Sequence, residues 1–393
     1  MKIAGIVAEY NPFHNGHKYH IEQTRKKTGA DAIVAVMSGS FVQRGDCAIM
    51  DKYSRAHAAI MGGADLVIEL PVYYALGVAP LFAFGAVSTL NALECVDFIS
   101  FGMEEDNIDV LYKIAKALAT ESEKIEAETK KYLDNYTGYP AAREKALCSL
   151  LDIDAKILQS PNNTLAIEYM RALFCLDSKI KPVGINRIGA GYHDASTESE
   201  FSSATAIRKA VFEEKSVSHT MPTDVCDIFM KKTPMFTQNF DKAMLSFLRR
   251  AKAEDLKNIM DMPFGFENRI ISMAKKACNV EELVELCCAR QYTRSRIRRL
   301  LFASFIGIQN MGYNKAPSYI RVLAANKTGR AILSKINDTS CVPIITKTAD
   351  FINKDSDELF LLDVMATDLY NAGYDEPDMR MGGSDFTTSP IML

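Results

Sequence analysis

Along the first half of the chain, short and almost unbroken apolar runs alternate with longer amphipathic stretches. Ile3–Ala8, Asp31–Met37, Asp65–Leu70, Val96–Phe101 and Lys181–Ile185 read as strands. Their apolar residues do not alternate with polar ones, as expected where both faces of a sheet are covered. Helical spacing lies between them, at about 17–28, 52–63, 74–92 and 106–132. This order predicts right-handed strand–helix–strand crossovers and an α/β fold built on a Rossmann-like, doubly wound parallel sheet. In such sheets a ligand sits beyond the carboxyl ends of the strands, where the strand order reverses.

From about residue 204 the spacing turns helical and strand signals largely vanish. Helices are expected near 205–215, 222–230, 241–261, 280–288, 293–308 and 357–371, with one β-like piece at 342–345. The expected organisation is an α/β domain over 1–203 followed by a mainly α-helical region over 204–393. The tail from Gly373, rich in Gly, Asp and Pro, is expected to be loose or pinned by partners.

Composition narrows the function. A chain of 393 residues is long enough for two or three domains. Lys+Arg 46 against Asp+Glu 49 leaves a net charge of −3, so a nucleic-acid partner would have to be met by a local basic patch. No apolar run is long enough for a membrane-spanning helix. The apolar start is interrupted at Glu9, too early for a secretory leader, so a cytoplasmic location is expected. The 9 cysteines are scattered without a Cys-x-x-Cys pair, which signals neither a disulfide framework nor a zinc ribbon. Most are expected to be small buried apolar residues.

The chemistry-bearing segment follows the first strand: Glu9-Tyr10-Asn11-Pro12-Phe13-His14-Asn15-Gly16-His17-Lys18-Tyr19-His20. A loop with Pro and Gly leads into a helix whose first N–H groups attract an anion. His14 and His17 add donors suited to a phosphate, and Gly16 lets a flat ring approach the backbone. Two plainer readings stand beside this one: a metal site using His17 and His20, or ordinary polar helix-start residues. No Asp, Glu or Cys at ligand spacing completes a metal set, so no metal ligand is assigned.

His14-Asn15-Gly16-His17 resembles the HxGH signature of the nucleotidyltransferase superfamily, whose members transfer adenylyl groups from ATP. The second signature of that superfamily, Ile-Ser-Ser-Thr-x-Ile-Arg, is similar to Phe201-Ser202-Ser203-Ala204-Thr205-Ala206-Ile207-Arg208, with Phe for the first Ile and Ala204 before Thr205. Ser203 and Arg208 would then hold the β- and γ-phosphates, beside the plain alternative that the Ser pair only caps a helix. Further segments match one family within that superfamily: Ser38–Gly45, Gly63–Pro71, Ser160–Asn163, Gly184–Arg187 and Tyr292–Arg299. Nearly end to end, the chain resembles the bacterial tRNA(Met) cytidine acetate ligases.

The resemblance implies that Val7, Ala8 and the loop from Glu9 to His20 wrap ATP, with further contacts from Gly102, Asn162 and Arg187. It implies an enzyme that joins acetate to N4 of the wobble cytidine of elongator tRNA(Met), consuming ATP. His14, His17, Ser203 and Arg208 are the expected catalytic groups, and Mg²⁺ is expected to travel with the nucleotide. Asn162 reads equally as a turn residue and Arg187 as a surface charge. Lys18, Lys52 and Arg55 are cations near the same end of the sheet, or solvated surface residues.

A tRNA substrate demands basic surface. Arg290, Arg294, Arg296, Arg298 and Arg299, with Tyr292 among them, form the densest such cluster. The plainer reading is a solvated helix laced to Glu281, Glu282 and Glu285. A second candidate strip is Lys315, Arg321, Lys327 and Arg330, and a third is Lys231-Lys232 with Arg249-Arg250. Two other functions fit parts of this pattern: a small-molecule adenylyltransferase, and a non-enzymatic RNA-binding factor switched by ATP.

Overall fold

The computed structural model describes every residue except 106, 134–137, 187–200, 313–314 and 337–339. The strands are β1 (Ile3–Ala8), β2 (Ala32–Ser38), β3 (Phe41–Val42), β4 (Asp46–Cys47), β5 (Leu66–Leu70), β6 (Phe98–Met103), β7 (Lys181–Asn186), β8 (Ile320–Ala325), β9 (Ile344–Ile345) and β10 (Ile391–Met392). The main sheet runs β10-β8-β5-β2-β1-β6-β7, with β9 on β8, while β3 and β4 form a separate hairpin. Strands β5, β2, β1, β6 and β7 pair in parallel, as the apolar runs predict. The chain starts at β1, builds outward through β2 to β5, then crosses back to β6 on the other side of β1. The crevice beyond the carboxyl ends of β1 and β6 is therefore the switch point.

Several expectations are corrected here. The stretch expected at 106–132 is two helices, Ile108–Thr120 and Ser122–Tyr132, and that at 241–261 is Asp241–Arg250 with a short turn at Ala253–Leu256. Of the cysteines, only Cys47 and Cys287 are buried. The second half supplies a main-sheet strand: β8 lies antiparallel on β5. The tail is held by the chain itself, because β10 pairs with β8. The expected boundary at 203/204 thus falls inside one continuous sheet. It also falls inside one core, where Phe41 packs against Phe240, Phe302 and Tyr370.

Charged groups beneath this seam explain the arrangement. Lys52, read from the sequence as a cation near the site end of the sheet or a solvated surface residue, is 1 % exposed and donates to Glu69 at 2.9 Å, to the Thr367 hydroxyl at 3.0 Å and to Asp385 at 3.1 Å. Arg321, in β8, donates to Asp385 at 2.8 Å and reaches Glu69 at 3.4 Å. Two cations face two carboxylates, so the cluster is neutral and its hydrogen bonds offset the desolvation of buried ions. Arg321 therefore cannot belong to a surface strip; Lys315, Lys327 and Arg330 are exposed without it. Beside the cluster, Asp363 accepts from the Val72 amide at 2.7 Å and the Tyr319 hydroxyl at 2.5 Å.

Candidate active site

Helix Asn15–Thr28 begins where the two histidines meet. His14 is its N-cap, and Nδ1 of His14 accepts the Gly16 amide at 3.1 Å. In return, Nδ1 of His17 accepts the His14 amide at 3.2 Å. The rings stack with centroids 3.8 Å apart, which Gly16 permits: a Cβ there would stand 2.9 Å from Cε1 of His14. An imidazole nitrogen that accepts a hydrogen bond carries no proton, so in each neutral ring the proton sits on Nε2. Both rings are thereby fixed as donors at Nε2. The edge of Tyr10 backs His17 at 4.9 Å, and Phe13 lies at 5.5 Å.

Arg55 holds the surrounding loops. It is fully buried and donates to the carbonyls of Glu9 at 2.7 Å, Ser38 at 2.9 Å and Met50 at 3.1 Å, and also to that of Gly39. The guanidinium thus joins the chain just past the ends of β1 and β2. It is neither a surface residue nor a group that lines the cavity.

Two adjoining cavities open at the switch point. The smaller, about 200 Å³, is walled by Phe101 and Gly102 of β6, Ile185 and Asn186 of β7, and Tyr19. The larger, about 570 Å³, reaches Ala8, Glu9, Gln43 and Arg44 on one side and Ser203, Thr205 and Arg208 on another. Val7, His14, His17, His20, Asn162, Leu165 and Tyr169 border both. The histidines stand where the cavities join.

The structure brings the two signature segments together. Ser203 caps helix Ala204–Phe212, its hydroxyl accepting the Ala206 amide at 3.1 Å, and the same helix start faces the larger cavity. Ser203 thus caps the helix while also bordering the larger cavity. Arg208 donates to the Asn11 carbonyl at 2.8 Å, which ties the second signature to the first. Asn162 lies in the first turn of helix Pro161–Cys175 and donates to Glu104 at 2.5 Å. His20 lies 3.0 Å from the Ser100 hydroxyl.

Of the remaining expected nucleotide contacts, Asn11, Pro12 and Phe13 are buried beneath the loop, and Asn11 accepts the Ile49 amide at 2.7 Å. Asn15 donates to the His219 carbonyl at 3.1 Å, and Lys18 is exposed. These five do not line either cavity. Arg187 lies outside the described residues.

The arginine cluster divides. Arg294 pairs with Glu281 and Glu285, and Arg298 also pairs with Glu281, which is the arrangement of a laced surface helix. Arg296 pairs with Asp261 at 3.2 Å and lies over the Tyr292 ring. Arg290 is exposed. Arg299 turns the other way and lines the larger cavity with Ser295. Reasoning on the sequence did not place Gln43, Arg44, Ser295 or Arg299 at the nucleotide end; the signal available for the first two was their position just after β2. Gly45 sets the docking of this helix, with φ of 74° and no room for a Cβ against the backbone of Arg298 and Arg299.

The model of the HIGH Nucleotidyl Transferase family matches residues 1–385. A tRNA(Met) cytidine acetate ligase from Acetivibrio thermocellus is 39% identical, with 100% of both chains covered. The enzyme of the same name from Caldanaerobacter subterraneus subsp. tengcongensis is 40% identical over 95% of this chain and 96% of its own. The chain belongs to the tRNA(Met) cytidine acetate ligase family. It is a ligase on the nucleotidyltransferase-type sheet: the two signatures pointed to the sheet, and the family resemblance to the ligase. The crystal structure of apo Thermotoga maritima TmcAL superimposes with a TM-score of 0.94 at 34% identity, covering 100% of both chains. The form of that family member bound with alpha-thio ATP gives 0.92 at 33% identity, again over 100% of both.

Proposed function

We propose that this chain activates acetate with ATP and transfers the acetyl group to N4 of the wobble cytidine of elongator tRNA(Met). The observation that carries this reading is the convergence of the paired His14 and His17 with Ser203 and Arg208 on one cavity at the switch point.

Free acetate is a poor electrophile, because its leaving group would be oxide. Its carboxylate attacks the α-phosphorus of ATP, forming acetyl-adenylate as the bond to pyrophosphate breaks. Charge gathers on phosphate oxygens during this displacement, so positioned donors are what catalysis requires. Nε2–H of His14 and of His17 donate at the junction of the cavities, where the α-phosphate lies. Arg208 and the start of helix Ala204–Phe212 hold the departing pyrophosphate. The adenosine end occupies the smaller recess beside Gly102 and Asn186. The cytidine amine then attacks the acetyl carbon and AMP leaves.

Mg²⁺ fits as an ion carried by the triphosphate. Among the described residues no group of three His, Cys, Asp or Glu side chains gathers to hold a metal, and such an ion would take phosphate oxygens and water as ligands. When bound, it neutralises charge on the pyrophosphate.

The tRNA approaches from the side of helix Arg294–Ile306, where Arg290 and the neighbouring arginines contact backbone phosphates. The reaction is tested by pyrophosphate release that depends on acetate, followed by transfer of labelled acetate to tRNA. A small-molecule adenylyltransferase releases pyrophosphate without acetate, and an ATP-switched binding factor releases none; either result removes this reading.

A further inference from the structure

The cytidine amine cannot become an amide nitrogen without losing a proton. Its lone pair is delocalised into the ring, so attack is efficient only if that proton is taken as the bond forms. The lining of the two cavities offers few groups that can take it. His14 and His17 have their Nδ1 lone pairs occupied by backbone amides and their protons on Nε2, which makes them donors. His20 meets the Ser100 hydroxyl of β6 through Nε2 at 3.0 Å. The Tyr169 hydroxyl is pushed far up by burial, with the charge of Glu9 adding to the effect, and remains a neutral phenol. Arg44, Arg208 and Arg299 are cations. Among the described residues that line either cavity, Glu9 is the one carboxylate.

Glu9 is also held in place. Its carbonyl accepts from Arg55 at 2.7 Å, and Oε1 accepts the Gln43 amide at 2.9 Å. Gln43, Ser295 and Arg299 share its cavity, so the carboxylate stands on the side open to the helix Arg294–Ile306.

We propose that the Glu9 carboxylate is the general base of the transfer step, taking the N4 proton as that nitrogen attacks acetyl-adenylate. The N4 lone pair forms the bond to the acetyl carbon, the bond from that carbon to the AMP oxygen breaks with its electron pair, and the proton passes to Glu9 and then to solvent. The products are the acetylated cytidine, AMP and one proton. His14 and His17 keep one role throughout, donating to the phosphate of the leaving AMP.

This inference rests on the proposed acetate-ligase reading, and the test separates the two. The half-reactions of Glu9→Gln and wild type are measured apart: acetate-dependent pyrophosphate release without tRNA, and single-turnover acetylation of tRNA from preformed acetyl-adenylate. The fall in transfer is expected to exceed the fall in pyrophosphate release by about 10²- to 10⁴-fold. Equal loss in both halves would make Glu9 a nucleotide or metal contact, and no loss would make it a bystander; both overturn the proposal. If wild type shows no acetate-dependent release, the ligase reading itself fails. If Glu9→Gln does not fold, Glu9→Ala supplied with formate decides: transfer restored in proportion to formate, and not by chloride, supports a missing base, and no restoration overturns it.

Discussion

The imidazoles of His14 and His17 lie face to face, 3.8 Å between centroids, each giving its Nδ1 lone pair to a backbone amide. Helix capping and the proposed phosphate recognition would therefore be one device, because the hydrogen bonds that close the helix start also fix which nitrogen donates.

Replacing His17 with Ala would remove the proposed donor to the α-phosphate, and it removes one acceptor from the cap. Acetate-dependent pyrophosphate release should fall about 10²- to 10³-fold. Stability should fall by only about 1 kcal/mol, the cost of a lost cap. Parallel turnover and urea-unfolding measurements check both, and unchanged turnover would remove the phosphate role.

The buried ion cluster makes a stability prediction far from the chemistry. Asp385→Ala leaves Lys52 and Arg321 sharing a single carboxylate, Glu69, out of water. Removing one partner of such a set costs about 3–5 kcal/mol. Urea unfolding of the variant should show this loss; a change below about 1 kcal/mol would mean that water reaches the site.

Asp363 adds a pH dependence of known sign. Burial, with the charge of Glu69 adding to it, pushes its carboxyl up to about 7. The folded chain thus holds this proton to a higher pH than the unfolded chain does. Its contribution to stability is complete below about pH 4 and is lost as pH rises through about 7, at up to about 1.4 kcal/mol per pH unit. Asp385 acts oppositely: burial raises its carboxyl, but Lys52 and Arg321 outweigh burial and hold it below the usual range. Its contribution is lost only as pH falls below about 4. In Asp363→Asn the decline between pH 4 and 7 should flatten, as chemical denaturation at pH 5.0 and about 7 would show.

Glu281 holds both Arg294 and Arg298. If these arginines meet tRNA phosphates, Glu281→Gln should tighten tRNA binding and steepen its salt dependence, whereas Arg290→Ala should reduce the salt slope by about one. Filter binding over a salt series measures both. An unchanged slope in both variants would make the helix a structural element.

The parallel strands were legible because continuous apolar runs have few other uses. Strand β8 was not, since Arg321 interrupts its run and a lone charge reads as surface. Its partners Glu69 and Asp385 lie elsewhere in the chain, and burial of an ion depends on such partners. The same reasoning covers Lys52, and Arg55 differs only in being satisfied by carbonyls. At the site, the residue types of both signatures were legible, but not the tautomers, which follow from hydrogen-bond geometry. Nor was the divergence of Arg294 and Arg299, one laced to glutamates and the other lining the cavity. That depends on how the helix lodges against Gly45.

Because β8 zips onto the open edge of β5, a fragment ending at residue 203 would carry an unpaired strand border, apolar but for Glu69, and a Lys52–Glu69 pair stripped of its cover. Such a piece would be expected to stick to its own copies rather than work as a free-standing adenylating unit. Both halves line the larger cavity and share one sheet, so they would be kept or lost together.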